Sequence, residues 1–173
     1  MNFWGIKLFQ FKENNKKIFT KEGYCGIGIL QNKNVINMGL LLRTAAIYGN
    51  DFIFTIGGEP YSYQKADVTR SHLNIPTFHF ETFDAFKSSI HPNCKIVAVE
   101  MTKKAKYLHE YSHPERCAYV LGSEDKGIPE HLIREFNDVV KLPGKVSLNV
   151  GIAGSLILYD RLIKRNEYQG LSE

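Results

Sequence analysis

Cysteine is scarce in this chain: Cys25, Cys94 and Cys117 are the only three in 173 residues. They stand far apart and form no C-x-x-C pair, so neither a zinc ribbon nor a disulfide framework can be read from them. Free thiols in a reducing compartment are the expectation. Long apolar runs are missing as well. The longest, 150–159, is broken by glycines and by Ser155, and it falls well short of the roughly 18 residues that cross a bilayer. Near the N-terminus Lys7 and Lys12 interrupt the apolar residues and no small-residue cleavage site follows. A signal peptide is therefore not expected, a cytoplasmic location is the default, and no membrane partner is implied. Internal repeats and low-complexity tracts are absent too. Charge of one sign is in only slight excess, with 22 Lys and Arg against 18 Asp and Glu and a net charge of +4. That balance permits a polyanionic partner without requiring one. The basic residues gather at 12–21, 103–106 and 161–165, each a candidate RNA contact or a solvated face.

What is present is the ordinary material of one globular domain, with 43% hydrophobic and 23% charged residues. Residues 1–21 read as an extension of unassigned role and 22–173 as a single domain. Apolar runs alternate with helical spacing. Strands are expected at 24–30 (YCGIGIL), at 51–56 stopped by Gly57-Gly58, at 77–80, 95–100, 118–121 and 139–142. Helices are expected at 37–48, at 83–90, at 129–136 with proline in its first position, and at 149–166. This alternation predicts an α/β fold: a mainly parallel sheet flanked by helices on both faces. In such sheets ligands bind beyond the carboxyl ends of the strands.

Three motifs stand at strand ends. After the first strand comes Asn37-x-Gly39-x-x-x-Arg43, where Asn37 can cap the helix and Gly39 admits a close approach to its first turn. An arginine inside an apolar helix calls for a partner. After the 118–121 strand comes Gly122-Ser123-Glu124-Asp125-Lys126-Gly127, a tight loop able to turn backbone amides toward a ligand. The third motif, Pro143-Gly144-Lys145-Val146-Ser147-Leu148-Asn149, leads into the last helix, with Ser147 or Asn149 as its cap.

Together these motifs resemble the SpoU, or TrmH-type, RNA 2′-O-ribose methyltransferases of the SPOUT superfamily. Asn37, Gly39 and Arg43 match that family's first motif, Gly122, Glu124 and Gly127 its second, and Pro143, Ser147, Leu148 and Asn149 its third. The match runs from about 24 to 161. Val35 stands where relatives often carry proline, and the RNA-binding domain that many of them add ahead is not seen. The resemblance implies a deep C-terminal trefoil knot, a homodimer paired through the last helices, and an RNA substrate. Of the RNA classes, tRNA is favoured over rRNA on footprint. S-adenosyl-L-methionine is the implied cofactor, contacted by Glu100, Met101, Gly122, Leu142, Ser147 and Leu148. Catalysis is implied for Arg43, Asn37, Glu124, Ser147 and Asn149, with Arg43 activating the ribose hydroxyl and no metal taking part.

Other readings compete less well. His109-Glu110-Tyr111-Ser112-His113 spells H-E-x-x-H, but Pro114 follows at once and disfavours the helix that a zinc peptidase needs. Gly26-x-Gly28 lacks the third glycine of a dinucleotide fingerprint, since Gln31 stands there. No acidic-x-Gly-x-Gly loop follows the first strand, which argues against the open-sheet methyltransferases. A catalytically inactive RNA-binding protein of the same fold is the remaining alternative.

Overall fold

In a computed structural model, which describes residues 23–58, 60 and 75–170, seven parallel strands form one sheet. The N-terminal extension and its basic cluster at 12–21 lie outside the described residues. The strands are β1 (Tyr24–Asn32), β2 (Phe52–Gly58), β3 (Thr77–Phe80), β4 (Lys95–Val99), β5 (Lys106–Tyr107), β6 (Arg116–Leu121) and β7 (Asp138–Lys141). Their order across the sheet is β3-β2-β1-β6-β4-β7-β5. The helices are α1 (Val35–Ile47), α2 (Phe83–Ser89), α3 (Glu130–Ile133) and α4 (Val150–Lys164).

The sheet is buried on both faces, which is why its strands read as apolar runs rather than as alternation. On one face α1 and α4 pack Met38, Leu41, Leu42, Ile157 and Leu158 against Cys25, Ile27, Ile29 and Tyr119. On the other, α2 brings Phe83 and Phe86 against Phe54, Ile96 and Val120. Phe54 and Phe86 stack at 4.5 Å between centroids. Each such side chain contributes about 1.5–3 kcal/mol by leaving water. The two helices α1 and α4 approach closely because α4 carries small residues there. A Cβ on Gly154 would lie 2.4 Å from Leu41 Cδ1, and Thr44 Oγ1 meets Ser155 Oγ at 2.9 Å.

Several expectations need correction. The cap of α1 is Asn34, whose side chain accepts from Ile36 N at 2.9 Å, so Asn37 lies inside the first turn and its carboxamide is free for other bonds. β2 runs two residues further than expected, through Gly57, and ends at Gly58. Both glycines adopt positive φ within the strand, and a Cβ on Gly58 would meet the Asn32 carbonyl oxygen at 2.6 Å. The helix expected at 129–136 shrinks to the single turn α3, which Pro129 precedes rather than begins. The two-residue edge strand β5 had no signal, being too short for a periodicity.

Arg161, grouped with the exposed basic residues at 161–165, is 2% exposed. Its guanidinium donates to the carbonyls of Pro114 (2.5 Å) and Glu115 (3.0 Å), to Cys117 Sγ (3.3 Å) and to Glu167 Oε1 (3.1 Å). Burial raises the Cys117 thiol. Hydrogen bonding from Cys25, the Arg161 charge and Tyr119 outweigh it and bring the thiol down to about 7. Lys164 Nζ, one helical turn on, donates to the carbonyls of Leu108 and Tyr111. The last helix is thereby lashed to the 108–115 connection.

Candidate active site

The carboxyl ends of β1, β4, β6 and β7 open on one side of the sheet, and the loops that follow build the site. Beyond β6 the chain doubles back, with Gly127 N donating to Ser123 O at 2.8 Å and Gly127 at φ +60°. A Cβ on Gly122 would lie 2.3 Å from the Gly127 carbonyl carbon, so glycine is required where the two limbs of the loop touch. Glu100, just beyond β4, braces this loop. Its Oε2 accepts from Ile128 N (2.7 Å) and its Oε1 from Met101 N (2.9 Å). Both carboxylate oxygens are therefore engaged by backbone.

A chain of side-chain hydrogen bonds joins all three motifs. Asn37 Nδ2 donates to Glu124 Oε2 at 3.2 Å, and Asn37 Oδ1 accepts from Asn149 Nδ2 at 2.8 Å. Asn149 Oδ1 accepts from the N–H groups of Gly151 (3.0 Å) and Ile152 (3.3 Å), which makes Asn149 rather than Ser147 the cap of α4. One amide thus ends a helix and fixes a second amide, which in turn holds a carboxylate.

A cleft of about 300 Å³ lies between these loops. All six residues expected at the cofactor line it: Glu100, Met101, Gly122, Leu142, Ser147 and Leu148. Glu124 lines it as well, and Leu121 and Ala153 add apolar wall. Ser147 stands in an exposed loop and makes no hydrogen bond among the described residues. A second cavity of about 220 Å³ adjoins the first and shares Ser123, Glu124, Asp125 and Val150 with it, while Asn37 belongs to the second cavity only. Lys33 Nζ pairs with Asp125 Oδ2 at 2.7 Å between two half-exposed side chains. That hydrogen bond holds the Asp125 carboxyl below its usual range.

Arg43 is not brought to either cavity. It is exposed on α1 with no partner among the described residues, so the partner expected of an arginine in an apolar helix is not found within this chain. It stands six residues beyond Asn37, about 9 Å along the axis at 1.5 Å per residue. Helical side chains lean toward the N-terminus, which is the cleft end of α1.

The H-E-x-x-H segment is a 3-10 turn (Leu108–Glu110) followed by extended chain. His113 is buried, with Nδ1 on the Tyr119 hydroxyl (2.5 Å) and Nε2 on Asp160 (2.8 Å), while His109 faces solvent. Among the described residues no group of three or more His, Cys, Asp or Glu is placed to hold a metal ion. Sequence reasoning passed over Asn32 and Lys33, which line the second cavity. They end a strand just ahead of the first motif, and nothing in their spacing sets them apart.

The fold and the strand-end site together define an α/β enzyme scaffold, and comparison identifies which. The chain belongs to the SpoU rRNA Methylase family, whose family model matches residues 27–159. Among curated proteins, a mouse (Mus musculus) tRNA (guanosine(18)-2′-O)-methyltransferase, TARBP1, is 34% identical over 68 residues, covering 38% of this chain and 4% of that protein. The chain therefore spans only a small fraction of the curated relative it matches. Many solved structures share the fold, two of them as follows. An AdoMet-bound rRNA methyltransferase from Sinorhizobium meliloti has a TM-score of 0.73 and 23% identity, over 82% of this chain and 57% of that one. A structure described by the 2-OH methylation of C/U34 on tRNA has a TM-score of 0.71 and 20% identity, over 84% and 99%.

Proposed function

We propose that the chain transfers a methyl group from S-adenosyl-L-methionine to a ribose 2′-hydroxyl of a structured RNA, and that it works as a homodimer. The observation that carries this reading is the Glu124–Asn37–Asn149 hydrogen-bond chain, which ties the three family motifs together at the wall shared by two adjoining cavities. A two-substrate transfer needs that arrangement.

The larger cleft suits the methyl donor. At about 300 Å³ it is at the small end of ligand pockets. Leu121, Leu142 and Leu148 offer apolar wall to a purine ring. Ser123 is buried on the same wall, its hydroxyl helping to hold the neighbouring Asp125 carboxyl below its usual range. Met101, Gly122, Leu142, Ser147 and Leu148 would hold the donor, with Glu100 shaping the loop opposite them. The bound cofactor supplies a methyl group on a sulfonium sulfur, which needs no metal to make it a good leaving group.

The acceptor is the difficult partner, because a ribose hydroxyl is a poor nucleophile until its proton leaves or its charge is stabilised. A guanidinium holds its proton to above about pH 12. Arg43 accordingly stabilises negative charge on the 2′-oxygen, and Glu124, oriented by Asn37, accepts the proton. Asn149 keeps the helix start in place for in-line attack, and Ser147, exposed on the cleft wall, is available to hydrogen-bond the donor.

Dimer formation accounts for an otherwise unexplained face. Ile152, Leu156, Tyr159 and Ile163 on α4, with Ile36, Leu40 and Ile47 on α1, are 40–73% exposed. The i, i+4, i+7, i+11 spacing makes a continuous apolar stripe on α4, while on α1 the same register runs Ile36, Leu40, Arg43, Ile47, an apolar stripe interrupted by the arginine. Arg43 stands on the same face of α1, so pairing fixes surroundings that a single copy leaves open. The ties from Arg161 and Lys164 to the 108–115 connection support threading of the C-terminal segment as a trefoil knot.

Small folded RNA, tRNA before rRNA, is the favoured substrate class, since a compact domain offers a small footprint. Mapping ribose methylation in total RNA with and without the gene tests the reading. Loss of one 2′-O-methyl group is expected. Loss of a base methyl group, or RNA binding with no methyl transfer to any RNA, refutes it.

A further inference from the structure

The edge strand β5 and its flanks carry side chains that neither the core nor the two cavities employ. Beyond Glu100 and Met101 the chain turns away from the cleft, with Ala105 N donating to Thr102 O at 3.3 Å, and enters β5. One side of β5 pairs with β7, and the other has no neighbouring strand. Tyr107 is 42% exposed, and its ring stacks with that of His109, the centroids 5.5 Å apart and the planes 26° from parallel. Lys141 Nζ donates to the Thr102 carbonyl at 3.2 Å and stands 4.5 Å from the Tyr107 centroid. Lys141 also lines the larger cleft, so the aromatic pair lies beside that cleft. Two stacked rings left in water at a sheet edge are an unused contact surface.

The cations around them are of two kinds. Lys106 is tied to Asp138 Oδ1 at 3.0 Å and holds β5 against β7. Lys103 and Lys104 are exposed, with no ion-pair or hydrogen-bond partner among the described residues. Glu110 accompanies His109 Nε2 at 3.6 Å and pairs with neither lysine.

We infer that this edge is a stacking platform for an unpaired segment of the substrate RNA that flanks the methylated nucleotide. A base adds to the Tyr107–His109 pair, and phosphates meet Lys103 and Lys104. The inference rests on the RNA-methylation reading and goes beyond it, because the contacts lie outside both cavities. Unpaired bases stack on tyrosine and histidine rings whatever their sequence, and lysines beside the rings follow the backbone. The Lys141 ammonium, held over the ring by cation–π attraction, fixes the tyrosine in place before RNA arrives. An acidic protein would meet the lysines and leave the flat rings without a flat partner. The first histidine of the H-E-x-x-H spelling, which holds no zinc, thereby gains a use.

Tyr107→Ala and His109→Ala each remove one ring, while Tyr107→Phe and His109→Phe keep a flat one. Binding is measured on full-length protein saturated with S-adenosylhomocysteine, using small RNA from cells lacking the gene. Each alanine variant should bind about 5- to 100-fold more weakly than wild type, and each phenylalanine variant within about threefold of it. In turnover the loss should fall on KM, with kcat and S-adenosylmethionine affinity unchanged. Lys103→Gln combined with Lys104→Gln should lower the slope of log affinity against log salt by about 1.4, as for two single-strand phosphate contacts. Ultraviolet irradiation of wild type with an oligouridylate should cross-link uridine to the peptide that holds Tyr107 and His109, read by mass spectrometry. Wild-type affinity in both alanine variants overturns the inference, as does a loss that phenylalanine fails to recover. Equal losses of RNA affinity, cofactor affinity and melting temperature overturn it too, since the rings are then structural. If an alanine variant does not fold, the cross-link decides, and cross-links confined to other peptides overturn the inference. Methylation of a base in place of a ribose refutes the ribose reading alone, and the binding measurements still judge the platform.

Discussion

Replacing Arg161 by methionine separates two opposed accounts of the last helix. If the 161–165 basic run is an RNA-facing surface, the substitution should leave stability alone and weaken RNA binding. The structure says otherwise. Methionine fills much of the arginine volume, so the cavity penalty is small. The carbonyls of Pro114 and Glu115 and the carboxylate of Glu167 lose a cationic donor at once. Three charge-assisted bonds at about 1.5 kcal/mol each give roughly 4–5 kcal/mol, which agrees with the about 3–5 kcal/mol typical of breaking a buried pair. A domain of this size has about 5–15 kcal/mol in hand, so the variant should fold, with a Tm lower by about 6–20 °C. Urea unfolding followed by circular dichroism gives the free energy. Filter binding at two salt concentrations gives the RNA slope, which should match wild type. Arg161→Lys should recover only part of the loss, because the guanidinium reaches its acceptors from two separate terminal nitrogens and a single ammonium cannot occupy both places. A loss under about 1 kcal/mol, accompanied by a shallower salt slope of RNA binding, refutes the reasoning.

Asn149→Ala should cost about 1 kcal/mol through the lost cap and impair methyl transfer. Asn149→Ser should keep the cap and the stability yet lose activity, because serine cannot reach Asn37; equal Tm losses in the two variants count against that division. Gly122→Ala forces a Cβ against the backbone of Gly127, so cofactor affinity should fall at least about tenfold by calorimetry, and unchanged affinity excludes the loop from the cleft's function. The His113 imidazole sits below its ordinary range, chiefly through burial, with Asp160 opposing. The unfolded chain then takes up a proton near pH 6.5 that the folded one resists, so stability falls as pH drops below about 6.5. His113→Gln should flatten that limb of the urea midpoint against pH, and an unchanged slope rules His113 out as its source. Tyr159→Glu on the exposed stripe should yield a monomer by light scattering at a concentration where wild type is dimeric; a wild-type monomer removes the dimer from the proposal.

Much of this architecture was legible because buried parallel strands write themselves as apolar runs and their ends as glycine and polar punctuation. The residues of all three motifs could be picked out on that basis, and all of them but Gly39 and Arg43 turn out to line or brace the two cavities, as do Glu100 and Met101. Hydrogen-bond partnership was not legible. Asn37 and Asn34 are equally good caps by residue type, and only the helix start decides between them. Arg161 looks like any charged residue in a terminal helix until the 108–115 connection is laid across it. Asn32 lies beyond the strand expected at 24–30 yet closes β1, and its place on the wall of the second cavity becomes visible only once its surroundings are built. Arg43 was expected to find a partner, and within one copy of the chain it has none.

The order β1-β6-β4 at the centre of the sheet has a consequence for how the protein is made. Tyr24 of β1 is matched to Arg116 of β6, a strand synthesised about 90 residues later. At roughly 5–20 residues per second, the inner edge of β1 waits roughly five to twenty seconds for its neighbour. Throughout that interval an apolar strand bearing unpaired N–H and C=O groups is offered to any other nascent chain on the same polysome. α4, whose first turn completes the hydrogen-bonded site, is released later still. An apolar strand edge therefore stays open through most of the chain's synthesis, and the hydrogen-bonded site closes only when α4 docks.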